Sequence, residues 1–447
     1  MEESDATPSN EREDQVNMVK QENRAGGNGH GTFDPNKTKD VHDAGGGRHD
    51  SDDKGNAKVI TTDIAPAWHV LFEQVPRAGF IPDTIWADDP DDPGLTEVSR
   101  HANPAGWEAA VAANAPVITQ INLGKPRVDD GENFPSSSSS QPSMVADMLA
   151  ALDPQPGERV LEIGTGTGWN AALLAHLVGP AGHVTTIEVD PGLADSARHA
   201  LAAADVAAEV VTGDGAAGWP EAAPYDRIIS TAPVRELVPP AWLAQLRPGG
   251  RLVTPWGTDY GDGALLSLDL DVDGTATGRF SGNLAFTRLC GHKRSQFGWD
   301  PDTVDAAEVT TAVVRGKDLD MMLNPEKGRF AIGTRLPDVA LVVGWDANGP
   351  GRHVLELEDL ATRSYARLNA DVTDRVPFSV CQLGPRRLWD EAVHAYDWWC
   401  ENAKPGPDRF GLTITGDTQT MWLDTPEHVV RCPWPLNTGS GSKSVMG

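Results

Sequence analysis

A glycine-rich turn between an apolar run and a helical pattern constrains this chain more than any other feature. The turn is Glu162–Gly168, with the sequence EIGTGTG, and it follows the apolar run that starts at Arg159. Glycine accepts tight backbone conformations and lets a ligand come close to the main chain. A strand that passes through such a turn into a helix is typical of the first βαβ unit of a nucleotide-binding sheet.

The same alternation continues to about residue 270. The predicted strands are Arg159–Ile163, His183–Ile187, Ala208–Val211, Tyr225–Ser230 and Gly250–Thr254. The predicted helices between them are Trp169–Val178, Pro191–Ala204 and Pro239–Leu246. Strands at this interval imply right-handed crossovers and a parallel sheet covered on both faces. We therefore predict a doubly wound, Rossmann-like α/β domain.

The charge of the turn indicates what it binds. A G-x-G-x-x-G loop receives a pyrophosphate at the helix N-terminus, whereas here Glu162 precedes the first glycine. An acid at this position suits a cation or an amino group. S-adenosylmethionine carries an ammonium and a sulfonium and no phosphate, so the turn favours this cofactor over a dinucleotide.

Two more acids follow the next strands. Glu188 lies about 20 residues past the turn, where a carboxylate can accept both hydroxyls of a ribose, and Asp214 follows the third strand, where it can meet the adenine amino group. Taken singly, each acid can also be interpreted as a solvated loop residue or a helix cap. Together with the turn, the two acids predict a methyltransferase. The candidate cofactor-binding residues are Glu162, Gly164, Thr165, Gly166, Gly168, Glu188, Asp214 and Gly215.

Composition limits the partners and the compartment. The net charge of −28 over 447 residues disfavours nucleic acid and favours a basic peptide, or a peptide with a basic segment. Four cysteines without C-x-x-C spacing predict reduced thiols and no metal. No apolar run reaches the ~20 residues of a membrane span, and the start does not resemble a signal peptide. We expect a cytoplasmic protein without membrane contact; the oligomeric state stays open, with a monomer as the expectation.

The segments before and after the core differ from it in composition and in their predicted elements. Residues 1–57 hold 13 acidic and 7 basic residues and few large apolar ones, which predicts a disordered acidic tail. Helices are predicted at Ala67–Phe72, Trp107–Asn114 and Pro385–Lys404, a strand at Pro116–Ile121, and a hairpin at Phe410–Leu423. The aromatic residues of the last helix are more typical of a core than of a ligand cage. The serine run Ser136–Ser140, taken alone, reads as a flexible spacer.

Several motifs together resemble the protein-L-isoaspartate O-methyltransferase family. They are Val75–Arg77, Phe80–Pro82, Ser140–Pro142, Gly157–Trp169, Gly213–Gly215, Gly218–Pro220, Thr231–Ala232 and Leu246–Val253, within about residues 66–290. Ser-Gln-Pro ahead of the glycine turn separates this family from other methyltransferases. The resemblance replaces the spacer interpretation and implies an active-site hydroxyl at Ser140. Ser139 and Thr231 are further candidates to hold an aspartyl carboxylate by neutral hydrogen bonds.

Some 150 residues follow the core, whereas repair enzymes of this family generally end soon after it. The extension resembles that of homologues in actinobacterial lanthipeptide, lasso-peptide and graspetide pathways, which methylate an ordinary aspartate of a precursor peptide so that it cyclises to aspartimide. The implied division is a tail (1–57), an N-terminal subdomain (58–140), a methyltransferase core (141–290) and an α+β peptide-recognition extension (291–447).

Three functions follow from these features. The leading hypothesis is precursor-peptide aspartyl methylation that gives aspartimide or, after hydrolysis, isoaspartate. The alternative is a general methyltransferase that repairs isoaspartyl residues in damaged proteins. A binding module on a decayed methyltransferase is the third, and the intact turn, Glu188, Asp214 and Ser140 argue against it.

Overall fold

The computed structural model of the chain describes residues 64–88, 95–128, 133–261, 263–284, 310–314, 328–345, 352–371 and 378–435. The predicted acidic tail, the predicted boundary at residue 290 and Cys290 lie outside these ranges. Cys381 and Cys400 are thiols that form no disulfide with the described part of the chain. Within the described ranges, no helix has both the length and the apolar character needed to cross a membrane.

The N-terminal part forms a small antiparallel sheet with two helices. Its elements are α1 (Pro66–Gln74), a 3₁₀ turn (Arg77–Gly79), β1 (Thr84–Asp88), β2 (Leu95–Ser99), α2 (Pro104–Ala112), β3 (Val117–Ile121), a 3₁₀ turn (Asn122–Gly124) and β4 (Pro135–Ser139). The strand order is β2-β1-β3-β4. The spacer interpretation of the serine run is wrong, because residues up to Ser139 form β4 and pair with β3. The strand was not predicted because its sequence, PSSSS, has no alternation of apolar and polar residues.

The core matches the predicted alternation. Its elements are α3 (Pro142–Leu152), β5 (Arg159–Ile163), α4 (Trp169–Val178), β6 (His183–Glu188), α5 (Pro191–Ala203), β7 (Glu209–Thr212), two 3₁₀ turns (Gly215–Ala217 and Pro220–Ala222), β8 (Tyr225–Ser230), β9 (Val234–Arg235), α6 (Pro240–Gln245), β10 (Leu246–Gly257), β11 (Gly263–Leu270) and β12 (Ala276–Leu284). Strands β7, β6, β5, β8 and β10 lie side by side and parallel. The doubly wound fold is confirmed, and β10 is longer than predicted.

Apolar residues on both faces of the central strand explain this arrangement. In β5, Val160, Leu161 and Ile163 are all fully buried, as expected for a parallel strand covered by helices on both sides. This burial fixes the strand end from which the glycine-rich turn departs.

The C-terminal part contributes a further sheet of five strands, two helices and three more strands. Its elements are β13 (Thr310–Val314), α7 (Arg329–Gly333), β14 (Ala340–Trp345), β15 (Arg352–Asp359), β16 (Ser364–Asp371), β17 (Phe378–Leu383), α8 (Leu388–Glu401), a 3₁₀ turn (Pro407–Arg409), β18 (Phe410–Thr415), β19 (Thr418–Leu423) and β20 (Val429–Pro435). The C-terminal sheet of five strands has the order β13-β17-β16-β15-β14. The predicted hairpin is confirmed as β18–β19.

The hairpin belongs to the sheet of the core. β18 pairs antiparallel with β12, so the sheet runs β20-β19-β18-β12-β11-β10-β8-β5-β6-β7. One apolar cluster extends from Leu161 to Val430 and includes Trp389, Tyr396 and Trp399 of α8. The aromatic residues of this helix are therefore core residues, and the C-terminal strands share the core of the methyltransferase fold.

A buried amide joins the two parts. Gln419 on β19 is fully buried; its Oε1 accepts from the Val238 amide at 3.1 Å and its Nε2 donates to the Val238 carbonyl at 2.8 Å. These bonds satisfy both backbone groups of a residue in the core that has no exposed surface.

We expect Gln419→Leu to lower the free energy of unfolding by about 2–5 kcal/mol, because two buried backbone groups lose their partners. Thr418→Ala, at the exposed turn of the same hairpin, should stay within about 0.5 kcal/mol of the wild type. Urea unfolding followed by tryptophan fluorescence measures both. Equal stability of the Leu variant and the wild type would contradict the assigned role of the amide.

Candidate active site

A cavity of about 390 Å³ lies where the parallel strands end, and its size is that of a small-molecule site. One wall is β4 with Ser140, and the other is the turn Gly164–Thr167 with Glu188 and Asp214. Among the described residues that line it there is no Lys, Arg or His. The cavity thus offers carboxylates and neutral groups, which suit a cationic cofactor and disfavour a pyrophosphate.

The glycine-rich turn requires its glycines. Gly164, Gly166 and Gly168 have φ values of 91°, 52° and 85°, a region that residues with a Cβ rarely adopt. A Cβ on Gly164 would lie 2.7 Å from the Thr231 hydroxyl, and one on Gly168 would lie 3.3 Å from Ala197. The turn can therefore pass close to helix α5 and to the residue after β8, and still leave its main chain on the cavity wall.

Glu162 lies beneath the turn, outside the set of cavity-lining residues. Its carboxylate is fully buried and accepts hydrogen bonds from the Thr186 hydroxyl at 2.6 Å and from Asn170 Nδ2 at 2.7 Å. The hydroxyls of Thr165 and Thr186 lie 2.7 Å apart. Since the Thr186 hydroxyl donates its proton to the Glu162 carboxylate, the Thr165 hydroxyl donates to Thr186. The direct ammonium contact expected from the sequence is thus replaced by a supporting role, in which Asn170 faces the cavity.

Glu188 and Asp214 lie at the strand ends where the sequence predicts them, and both line the cavity. Glu188 Oε2 accepts from the Gly166 amide at 2.9 Å and Oε1 from the Asp190 amide at 3.1 Å. Burial raises the pKa of Glu188. Asp214 is exposed and caps the following turn through a 3.0 Å bond from the Ala216 amide. Gly215, next to it, also lines the cavity.

The three predicted catalytic residues all line the cavity, but their hydroxyls are engaged differently. Ser139 is buried and its Oγ accepts from Arg77 Nε at 3.0 Å. The Thr231 hydroxyl donates to the Gly164 carbonyl at 2.6 Å. Ser140 is half-buried, and within the described part of the chain no hydrogen bond is recorded for its hydroxyl. Of these three hydroxyls, that of Ser140 is thus the most available to a substrate.

Sequence reasoning missed Gln120 as a link between the two walls. Its Nε2 donates to Asp190 Oδ2 at 3.0 Å, and its Oε1 accepts from the Ser136 hydroxyl at 2.7 Å. Asp190 in turn caps α5 through the Gly192 and Leu193 amides. No local pattern marks Gln120, because its partners are distant in sequence.

The buried carboxylate makes stability depend on pH. Burial raises the pKa of Glu162 to about 7, from its ordinary 4.5. Between these values the folded protein holds a proton that the unfolded chain releases, so stability falls as pH rises toward 7. Relative to Glu162→Gln, we expect wild-type unfolding free energy to fall by about 2 kcal/mol between about pH 5 and 7.5. Urea titrations across this range measure it, with Glu221→Gln as an exposed control; parallel wild-type and Glu162→Gln curves would contradict the assignment.

Comparisons with known proteins agree with this geometry. The family model "Protein-L-isoaspartate(D-aspartate) O-methyltransferase (PCMT)" matches residues 128–293. The chain is 45% identical to the protein-L-isoaspartate O-methyltransferase of Methanopyrus kandleri over 35% of this chain and 70% of that protein. It is 41% identical to the one of Pyrococcus horikoshii over 38% and 76%, and 51% identical to the one of Anaeromyxobacter dehalogenans over 30% and 64%.

A solved structure titled protein-L-isoaspartate O-methyltransferase aligns with 82% of this chain and 98% of its own, at a TM-score of 0.44 and 18% identity. The sequence matches to the curated relatives reported above cover between 64% and 76% of the lengths of those proteins. The chain belongs to the protein-L-isoaspartate O-methyltransferase family, and it is a methyltransferase of the protein carboxyl type that uses S-adenosylmethionine.

Proposed function

We propose that this protein methylates the free carboxylate of L-isoaspartyl residues in proteins and so starts their repair. The observation that carries the proposal is a cavity lined both by the glycine-rich turn and by Ser140. The names of the relatives favour this function, the alternative from the sequence, over the maturation of a precursor peptide.

The cofactor fits the cavity by its chemistry. The carboxylate of Glu188 suits the ribose hydroxyls, Asp214 suits the adenine amino group, and the glycine turn lets the main chain approach the ligand. Glu162 supports this turn from below through Asn170 and Thr186. When bound, S-adenosylmethionine supplies an electrophilic methyl group on a sulfonium.

The substrate carboxylate needs little activation. It is ionised at pH 7 and is its own nucleophile, so the protein needs to place it in line and keep water away. The Ser140 hydroxyl can donate a neutral hydrogen bond to one carboxylate oxygen and leave the other free to react. With S-adenosylmethionine bound, this free oxygen would accept the methyl group that the cofactor supplies. The backbone nitrogen of the following residue then closes a succinimide, with loss of methanol.

Maturation of a precursor peptide is the second candidate. It is favoured by the extra sheet β13–β17, by α8 and by the strands β18–β20, which lie beyond the residues that the family model matches. A recognition role for residues 291–447 and a basic substrate, suited to the net charge of −28, belong to this proposal. Peptide binding that weakens with added salt would support a basic partner.

Matched peptides separate the two candidates. We expect the wild type, given S-adenosylmethionine, to methylate an isoaspartyl peptide in several unrelated flanking sequences, and not its aspartyl twin. Mass spectrometry reads this as the gain of one methylene, followed by the loss of methanol. Modification of an ordinary aspartate in one specific peptide, with a net loss of one water, would favour the second candidate instead.

Ser140→Ala should lower kcat by about 10- to 100-fold, the effect of removing a hydrogen bond to a charged group. The dissociation constant of S-adenosylhomocysteine, measured by calorimetry, should not change, because the cofactor wall is left intact. Ser143→Ala is the matched control, since Ser143 lies in the first turn of α3, close to Ser140 in the chain, and is not among the cavity-lining residues. Unchanged turnover of the Ser140 variant would remove this residue from the substrate site.

A further inference from the structure

Arg77 is a buried cation beside the reaction cavity. It lies in the 3₁₀ turn after α1 and is 7% exposed. Its hydrogen bonds go to neutral oxygens, and among the described residues no carboxylate contributes to its pKa. Burial lowers the pKa of Arg77 to about 10, so the side chain keeps its charge at pH 7. A buried charge without a counter-ion is costly, which makes its surroundings informative.

Arg77 holds the end of β4 by three hydrogen bonds. Nε donates to the Ser139 hydroxyl at 3.0 Å, and Nη2 donates to the carbonyls of Ser139 at 2.8 Å and Ser140 at 3.0 Å. The other bonds go to the carbonyls of Val111, in the last turn of α2, and of Ala113 and Ala115, just after it. One guanidinium therefore joins two of the cavity-lining serines, Ser139 and Ser140, to the end of α2 and the segment after it.

The same turn is joined to the cofactor wall through Trp169. The Trp169 indole donates to the Val75 carbonyl at 2.9 Å, and the Arg77 guanidinium lies 5.6 Å from the centre of its ring. Trp169 begins α4 directly after the glycine turn and lines the cavity. Arg77 thus contacts both walls, and a shift of about 1 Å in a positioned group can cost about a hundredfold in rate.

The charge of Arg77 also affects which ligands the cavity favours. The charged residues that line the cavity, within the described chain, are Glu188 and Asp214, and both disfavour an incoming carboxylate. Arg77 places a positive charge directly behind Ser139 and Ser140, where low polarity weakens screening. A carboxylate held at Ser140 would therefore meet a favourable potential without a salt bridge that would quench it.

We propose that Arg77 is a positioning residue of the methyl transfer: it holds Ser139 and Ser140 against the cofactor wall and supplies the buried charge that favours an anionic substrate. This inference rests on the proposed function, because it assigns a carboxylate substrate to the cavity.

The test compares Arg77→Met and Arg77→Lys with the wild type. Arg100→Met is the matched control, since Arg100 also stacks on a tryptophan of the N-terminal part, Trp107, but lies at the surface. The readouts are kcat and KM for an isoaspartyl peptide, the dissociation constant of S-adenosylhomocysteine, and the ratio of affinities for that peptide and its carboxamide twin. Thermal unfolding checks the fold.

For Arg77→Met we expect the carboxylate preference and kcat each to fall about tenfold or more, with S-adenosylhomocysteine bound within about threefold of the wild type. Arg77→Lys keeps the charge but not the planar fork, so it should retain the preference and lose kcat. Arg100→Met should change none of these quantities. A general structural defect would instead weaken all ligands together and leave the preference unchanged.

A folded Arg77→Met protein with unchanged preference and kcat overturns the inference. If this variant does not fold, Arg77→Lys decides, and unchanged kcat there overturns the inference as well. A wild type that methylates neither isoaspartyl nor aspartyl peptides would overturn the proposed function and this inference with it. An active wild type with unaffected Arg77 variants would overturn the inference alone.

Discussion

The turn after β5 is the constraint on which the candidate site depends. The chain must leave a fully buried strand, pass within reach of Thr231 and enter α4 within a few residues, and three glycines with positive φ make this possible. The turn is held from two sides. Glu162 supports it from below through Thr186 and Asn170, and Glu188 accepts the Gly166 amide from the side. The carboxylates thus hold the cavity wall in place, and they also set its charge.

The parallel core could be predicted from the sequence because its signals are local. Apolar runs such as Tyr225–Ser230 and helices such as Trp169–Val178 coincide with the observed elements, since a strand buried on both faces must be apolar along its length. The same rule fails for β4. Its serines line the cavity and pair with β3. Because they are polar, a hydrophobicity pattern marks them as a spacer, and only the family resemblance pointed to Ser140.

Other features could not be predicted because they depend on contacts between distant residues. The Ser-Gln-Pro segment indicates an active-site hydroxyl, but not that Ser139 faces Arg77 while Ser140 remains available. Likewise, an acid ahead of the first glycine suggests a ligand contact, whereas burial turns Glu162 toward Thr186. The Val75–Arg77 motif contributed to the resemblance. Its physical role depends on contacts with Trp169 and with β4, which are distant in sequence.

The pairing of β12 with β18 has a consequence for how the chain is made. The two strands are joined by more than a hundred residues of intervening chain, from Leu284 to Phe410, and an uncovered strand edge can pair with another chain. Because β12 precedes β18 in the chain, it is synthesised before the strand that covers its edge. Domains tend to fold as units while synthesis proceeds, but here the central sheet is complete only when the hairpin has left the ribosome. The C-terminal hairpin thus covers an edge of the core sheet that could otherwise pair with another chain.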